Sequence, residues 1–93
     1  MNRSFGDAKI EAIFYGECPK GAPEDLFKRA RKVLGRIHTA HDVTDLKVPP
    51  SYRLHKLDGD LKGFWSVSVN MQWRIIFKFE GNDAEEVQFL DYH

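Results

Sequence analysis

From Phe64 to Phe79 the chain reads Phe64-Trp65-Ser66-Val67-Ser68-Val69, then Asn70-Met71-Gln72, then Trp73-Arg74-Ile75-Ile76-Phe77-Lys78-Phe79. Apolar and polar residues alternate with period two on both sides of a short polar break, which is the pattern of a hairpin with one face buried. Trp65, Val67 and Val69 share one side of the first strand, with Phe64, Ser66 and Ser68 on the other. In the second strand Trp73, Ile75, Phe77 and Phe79 lie opposite Arg74, Ile76 and Lys78. This places antiparallel sheet in the second half of the chain. Outward from it, Gly81-Asn82-Asp83 predicts a turn into a last strand over Glu85–Tyr92. Upstream, Tyr52–Leu57 reads as a short strand that Asp58-Gly59-Asp60 turns towards Phe64.

The first half has helical period. Leu26, Phe27, Ala30, Val33, Leu34 and Ile37 form one apolar stripe on a helix over about Pro23–Ala40, with Pro23 suited to the first helical position and Glu24 and Asp25 to the positive end of the dipole. Ile10, Ile13 and Phe14 predict a shorter helix over Asp7–Gly16, ended by Gly16, Pro19 and Gly21. Met1–Phe5 suits a short edge strand, and His41–Lys47 a helical turn. Val48-Pro49-Pro50-Ser51 opposes both helix and ladder and reads as a connector. The expected fold is α+β: a single domain over residues 1–93, with two N-terminal helices on one face of an antiparallel sheet, in the order β-α-α-β-β-β-β.

Composition bounds the function. Ninety-three residues leave little room for a second domain, and 14 basic against 14 acidic residues argue against a uniformly basic nucleic-acid binder. The lone Cys18 excludes an intramolecular disulfide framework and reads as an inert thiol. Met1–Ile10 lacks the apolar core of a leader, and no run approaches the roughly 20 apolar residues of a membrane span. A cytoplasmic protein that does not engage membranes is the expectation. Charge is nevertheless segregated. Lys28, Arg29, Arg31, Lys32 and Arg36 crowd the stretch from Leu26 to His41, which holds no acid, while Asp58, Asp60, Asp83, Glu85 and Glu86 gather elsewhere. The helix face is either a solvated surface or a phosphate-binding one.

No phosphate-cradling glycine loop, CxxC pair or HExxH helix is present. His38 and His41 lack a nearby third ligand, so no metal is expected. The candidates for chemistry are His55, Arg74 on the polar side of its strand, and the closing triplet Asp91-Tyr92-His93.

These residues carry a resemblance. Tyr52-Arg53-Leu54-His55, Leu57, Gly59-Asp60, Gly63-Phe64-Trp65-Ser66, Trp73-Arg74-Ile75 and Asp91-Tyr92-His93 together resemble the HigB toxin family of the RelE/ParE superfamily. The match runs over Tyr52–His93, and the first half agrees in layout. The resemblance implies the toxin of a type II toxin–antitoxin pair: an endoribonuclease that enters the ribosomal A site and cuts mRNA without a metal or other cofactor. The ribose 2′-OH attacks the adjacent phosphate, leaving a 2′,3′-cyclic phosphate and a 5′-OH. It implies a HigA-like helix-turn-helix antitoxin as partner, through which operator DNA is bound. On this pattern His93 is the base and His55 the acid or a phosphate ligand, or the reverse, because histidine titrates near neutrality. Arg74 neutralises the charge developing on phosphorus. Asp91 orients a histidine or contacts RNA, and Tyr92 stacks on a base or binds the ribose. Lys28, Arg29, Lys32 and Arg36 become candidates for gripping ribosomal RNA.

One position departs from the family's pattern. His55-Lys56-Leu57-Asp58-Gly59-Asp60 stands where His-Pro-Leu-Lys-Gly-Asp is expected, so an acid replaces a cation at position 58. Lys56, two residues away on a strand, and Lys62, past the turn, are the expected substitutes. Two other readings use the same fold: a ParE-like gyrase inhibitor without enzymatic activity, which the histidines oppose, and a degenerate toxin acting as an antitoxin-binding co-repressor, which Asp58 favours.

Overall fold

The computed structural model describes residues 1–18 and 23–91. Helix α1 spans Ala8–Phe14 and α2 spans Glu24–Thr39; the strands are β1 (His55–Lys56), β2 (Trp65–Ser68), β3 (Trp73–Glu80) and β4 (Asp83–Asp91). They form one antiparallel sheet in the order β1-β2-β3-β4. Short 3-10 turns at Val43–Lys47, Pro50–Tyr52 and Gly59–Leu61 fill the connections.

Helix α2 forms for the reason its stripe suggests. Leu26, Ala30, Val33, Leu34 and Ile37 are buried against Val67, Val69, Ile75, Phe77, Val87 and Phe89 on one sheet face. Burial of each large side chain contributes about 1.5–3 kcal/mol. The helix starts one residue later than expected: Pro23 is its cap, not its first residue, and its carbonyl accepts the Phe27 amide at 3.1 Å. Helix α1 is short and depends on Asp7, whose Oδ1 accepts the Ile10 amide at 2.7 Å while Oδ2 accepts the Phe89 amide of β4 at 2.9 Å.

Met1–Phe5 is not a regular strand. It bridges β4 in parallel at only two points, Asn2 with Ala84 and Phe5 with Val87. Between those points β4 bulges. Glu86 takes φ 53°, the register against β3 shifts between Ile76 and Lys78, and the Glu86 amide donates to the Ser4 hydroxyl at 2.8 Å. A bulge leaves one residue out of the ladder, and here a side chain completes its hydrogen bonding.

The Tyr52–Leu57 expectation fails at its start. Pro50–Tyr52 is a 3-10 turn, Tyr52 is buried, and Arg53 adopts φ 48°, ψ 48°. That left-handed residue ends the turn and stops extension, so β1 is only two residues long. The other differences are at strand ends. Strand β2 loses Phe64 and Val69, β3 continues to Glu80, and β4 starts at Asp83; Tyr92, predicted in that strand, lies outside the described residues. Asp7→Ala removes a helix cap and a strand acceptor together, so it should lower the unfolding free energy by about 2 kcal/mol, against about 1 for an ordinary cap. Urea denaturation checks this, with Asp7→Asn expected to recover part of the loss.

Candidate active site

Directly opposed residues in an antiparallel sheet share a face. The register sets His55 opposite Ser66 and Ser66 opposite Ile76, with Ser68 opposite Arg74 and Arg74 opposite Leu90. All lie on the face turned away from the helical core. The β2–β3 turn sets this register. Asn70 Oδ1 accepts the amides of Gln72 at 2.8 Å and Trp73 at 2.7 Å, so the chain reverses over Val69–Gln72 and Arg74 emerges beside Ser68.

A cavity of about 890 Å³ opens at the β2–β3 turn, lined by residues of this face, of α2 and of the 3-10 turn at Pro50–Tyr52. It brings together Arg29, Lys32 and Arg36 from α2, Arg53, His55 from β1, Ser66 and Ser68 from β2, and Arg74 from β3. Among the described residues its walls carry five permanent cations and no carboxylate. Such a concave, one-signed surface concentrates anions. Three of the acids are held in ion pairs elsewhere: Glu24 pairs with Lys28, Asp83 with Arg3 and the N-terminal ammonium, and Glu86 with Lys78 at 2.9 Å.

His55 is exposed, and its Nδ1 lies 2.8 Å from the Arg53 carbonyl. A carbonyl only accepts, so Nδ1 carries the proton and Nε2 remains the nitrogen that exchanges one. Arg74 is half-buried and reaches the cavity from the sheet. Arg36 does two jobs: it lines the cavity, and it fastens the connector, donating to the Val48 carbonyl at 2.8 Å with its guanidinium 6.0 Å from the Tyr52 ring.

Other sequence candidates lie off the walls. Lys28 is in an exposed pair with Glu24. Lys56 faces away from His55, with its ammonium 5.2 Å from the Trp65 ring, and Lys62 closes the 3-10 turn at Gly59–Leu61. Strand β1 ends at Lys56, and Asp58 takes the N-cap position of the 3-10 turn at Gly59–Leu61 without a side-chain cap bond. Asp91, opposite Trp73 at the end of β4, accepts from Gln72 Nε2 at 3.3 Å, and Gln72 lines the cavity. Tyr92 and His93 lie outside the described residues.

Residues 3–93 match the family described as RelE-like toxin of type II toxin–antitoxin system HigB. The chain belongs to this HigB-like toxin family. It is 34% identical to Endoribonuclease HigB of Proteus vulgaris over 93 residues, covering both chains fully. It is 35% identical to Toxin HigB-1 of Vibrio cholerae over 98 residues, covering all of this chain and 98% of that one. Its fold matches the YoeB-YefM complex from Staphylococcus aureus with a TM-score of 0.64 at 16% identity, covering 100% and 98% of the two chains. It also matches YafQ from E. coli with a TM-score of 0.57 at 16% identity, covering 98% and 93%.

Three wall residues, Arg53, Ser66 and Ser68, were not among the site candidates read from the sequence. Arg53 gave no local signal beyond the proline before its turn. Ser66 is 1% exposed and its Oγ is buried with no hydrogen-bond partner. Burial of Ser66 follows from neighbours on two adjacent strands, which period-two reading does not supply. Since its hydroxyl makes no bond, Ser66→Ala should leave stability within about 0.5 kcal/mol of wild type, whereas Ile76→Ala beside it should cost about 3 kcal/mol; chemical denaturation of both variants compares them. Separately, long-range ¹⁵N–¹H correlation spectra should show neutral His55 protonated on Nδ1, and an Nε2–H signal would contradict the bond to Arg53.

Proposed function

We propose that this HigB-like toxin is an endoribonuclease that cuts mRNA in the ribosomal A site and so arrests translation in the cytoplasm. The observation that carries the reading is a cavity walled by five cations and no acid, with a histidine held in one orientation at its edge. The name of the Proteus vulgaris relative points the same way.

In this reading the RNA backbone lies along the cavity. The 2′-OH loses its proton to a base, its oxygen bonds the adjacent phosphorus, and the bond to the 5′-oxygen breaks as that oxygen takes a proton from an acid. His93 serves as the base and His55, through Nε2, as the acid, with Tyr92 stacking on a base. Arg74 sits where the non-bridging oxygens gain charge, and a guanidinium binds two of them at once. Asp91 acts through Gln72 at the rim. Lys28, Arg29, Lys32 and Arg36 face ribosomal phosphates, with Lys56 and Lys62 as further contacts outside the cavity. A site this small needs help to bend mRNA in line for attack, and the ribosome supplies the positioning. YoeB-YefM from Staphylococcus aureus, which shares this fold, is a toxin-antitoxin complex, and a HigA-like helix-turn-helix antitoxin, itself bound to operator DNA, is the partner proposed for this chain.

Toe-printing on programmed ribosomes tests the reading. Wild type should cut within the A-site codon, and Arg74→Ala should lose about 10²–10³ in single-turnover rate while remaining folded. Reversing the charges of Arg29 and Lys32 should weaken ribosome binding more than the rate at saturation. A wild type that cuts nothing, or an Arg74→Ala variant of undiminished rate, would overturn the mechanism.

A further inference from the structure

We propose that Arg53 is a further residue of the reaction: its guanidinium is a phosphate ligand in the cavity, and its carbonyl orients His55. The proposal rests on the ribonuclease reading above.

The backbone comes first. Arg53 sits at φ 48°, ψ 48°, in the left-handed region that residues with a Cβ seldom occupy. Its amide donates to the Pro50 carbonyl at 3.0 Å, closing the 3-10 turn, and its own carbonyl then meets His55 Nδ1 at 2.8 Å. One dihedral choice ends the turn and fixes the imidazole two residues later. Glycine or asparagine would hold this conformation at lower cost. Arginine adds nothing to the turn itself, so its side chain calls for a separate explanation.

The cavity provides one. The Arg53 side chain lines the same cavity as His55 and Arg74. No acid lines it among the described residues, and no ion pair there claims Arg53. Of the other cations, Arg36 is bonded to Val48 and lies over Tyr52, Lys56 lies over Trp65 off the wall, and Arg29 and Lys32 line the wall from α2. Arg53 is therefore the exposed cation joined through its own backbone to the histidine, on the opposite side of β2 from Arg74. A phosphodiester seated between the two would meet a guanidinium on either side, with His55 Nε2 at its edge. Two guanidinium groups share the charge that grows on the non-bridging oxygens as the 2′-oxygen adds.

The test is single-turnover mRNA cleavage on programmed ribosomes at saturating protein, with ribosome affinity and thermal unfolding measured on the same samples. Arg53→Gly and Arg53→Asn keep the left-handed conformation and remove the charge; Arg53→Lys keeps the charge. The expected result is a loss of about tenfold or more in cleavage rate for Gly and Asn, partial recovery for Lys, and ribosome affinity within about twofold throughout. Either folded neutral variant cutting at the wild-type rate overturns the phosphate-ligand role, as does a loss confined to ribosome affinity. A wild type that cuts nothing overturns the ribonuclease reading and this role with it. The two failures are thus distinguishable.

Discussion

One carboxylate ties the helical layer to the sheet. Asp7 starts α1 through Oδ1 and holds β4 through Oδ2, so the short helix and the last strand share an anchor. An isolated helix of seven residues would not persist in water. Its orientation here is set by that bond and by Ile10 and Ile13, both buried. With α1 fixed at β4, α2 crosses the core face with its apolar stripe inward and its basic residues at the edge of the sheet. The cavity follows from that placement, since it opens where the basic side of α2 passes the β2–β3 turn.

Segregation of charge is the second organising fact. The chain is neutral overall, yet the cavity wall carries only cations among the described residues. The fold achieves this by using acids where they complete local structure. Asp42 caps the turn at Val43–Lys47, and hydrogen bonds from the Thr44 amide and hydroxyl hold its carboxyl below the usual range. Asp45 returns the contact to the Asp42 amide at 3.2 Å. Asp83 pairs with Arg3 and the N-terminal ammonium at the far end of β4. Repulsion among the cavity cations destabilises the folded state to some degree, and an anionic ligand would relieve it.

The parts of the fold that were legible in the sequence are those set by burial along one element. The α2 stripe and the β2–β3 alternation each read correctly because every second or every third and fourth residue meets the same core. Tyr52–Leu57 misled for the same reason. Tyr52 and Leu54 do turn inward, but through a 3-10 turn and a left-handed arginine, and nothing in the local pattern distinguishes that path from a strand. The irregular pairing of Met1–Phe5 depends on a bulge at Glu86, near the other end of the chain. In the site, His55 and Arg74 were legible from their motif, and the structure brings both to one cavity. Arg53 and Ser66 were not, because their roles depend on one backbone dihedral and on cross-strand neighbours.

The same reasoning accounts for position 58. An aspartate there reads as a defect only if that position reaches the cavity. In this chain β1 ends after two residues, and Asp58 belongs to the cap of the following turn, away from the walls. A carboxylate held there is exposed to water, and its field on the cavity is weakened by the solvent between them. The cations that matter to a phosphate are those on the wall, and Arg53 and Arg74 stand on either side of β2 there. The substitution at 58 is therefore compatible with an anion-binding site, because the geometry that moves the acid out of the cavity also leaves an arginine in it.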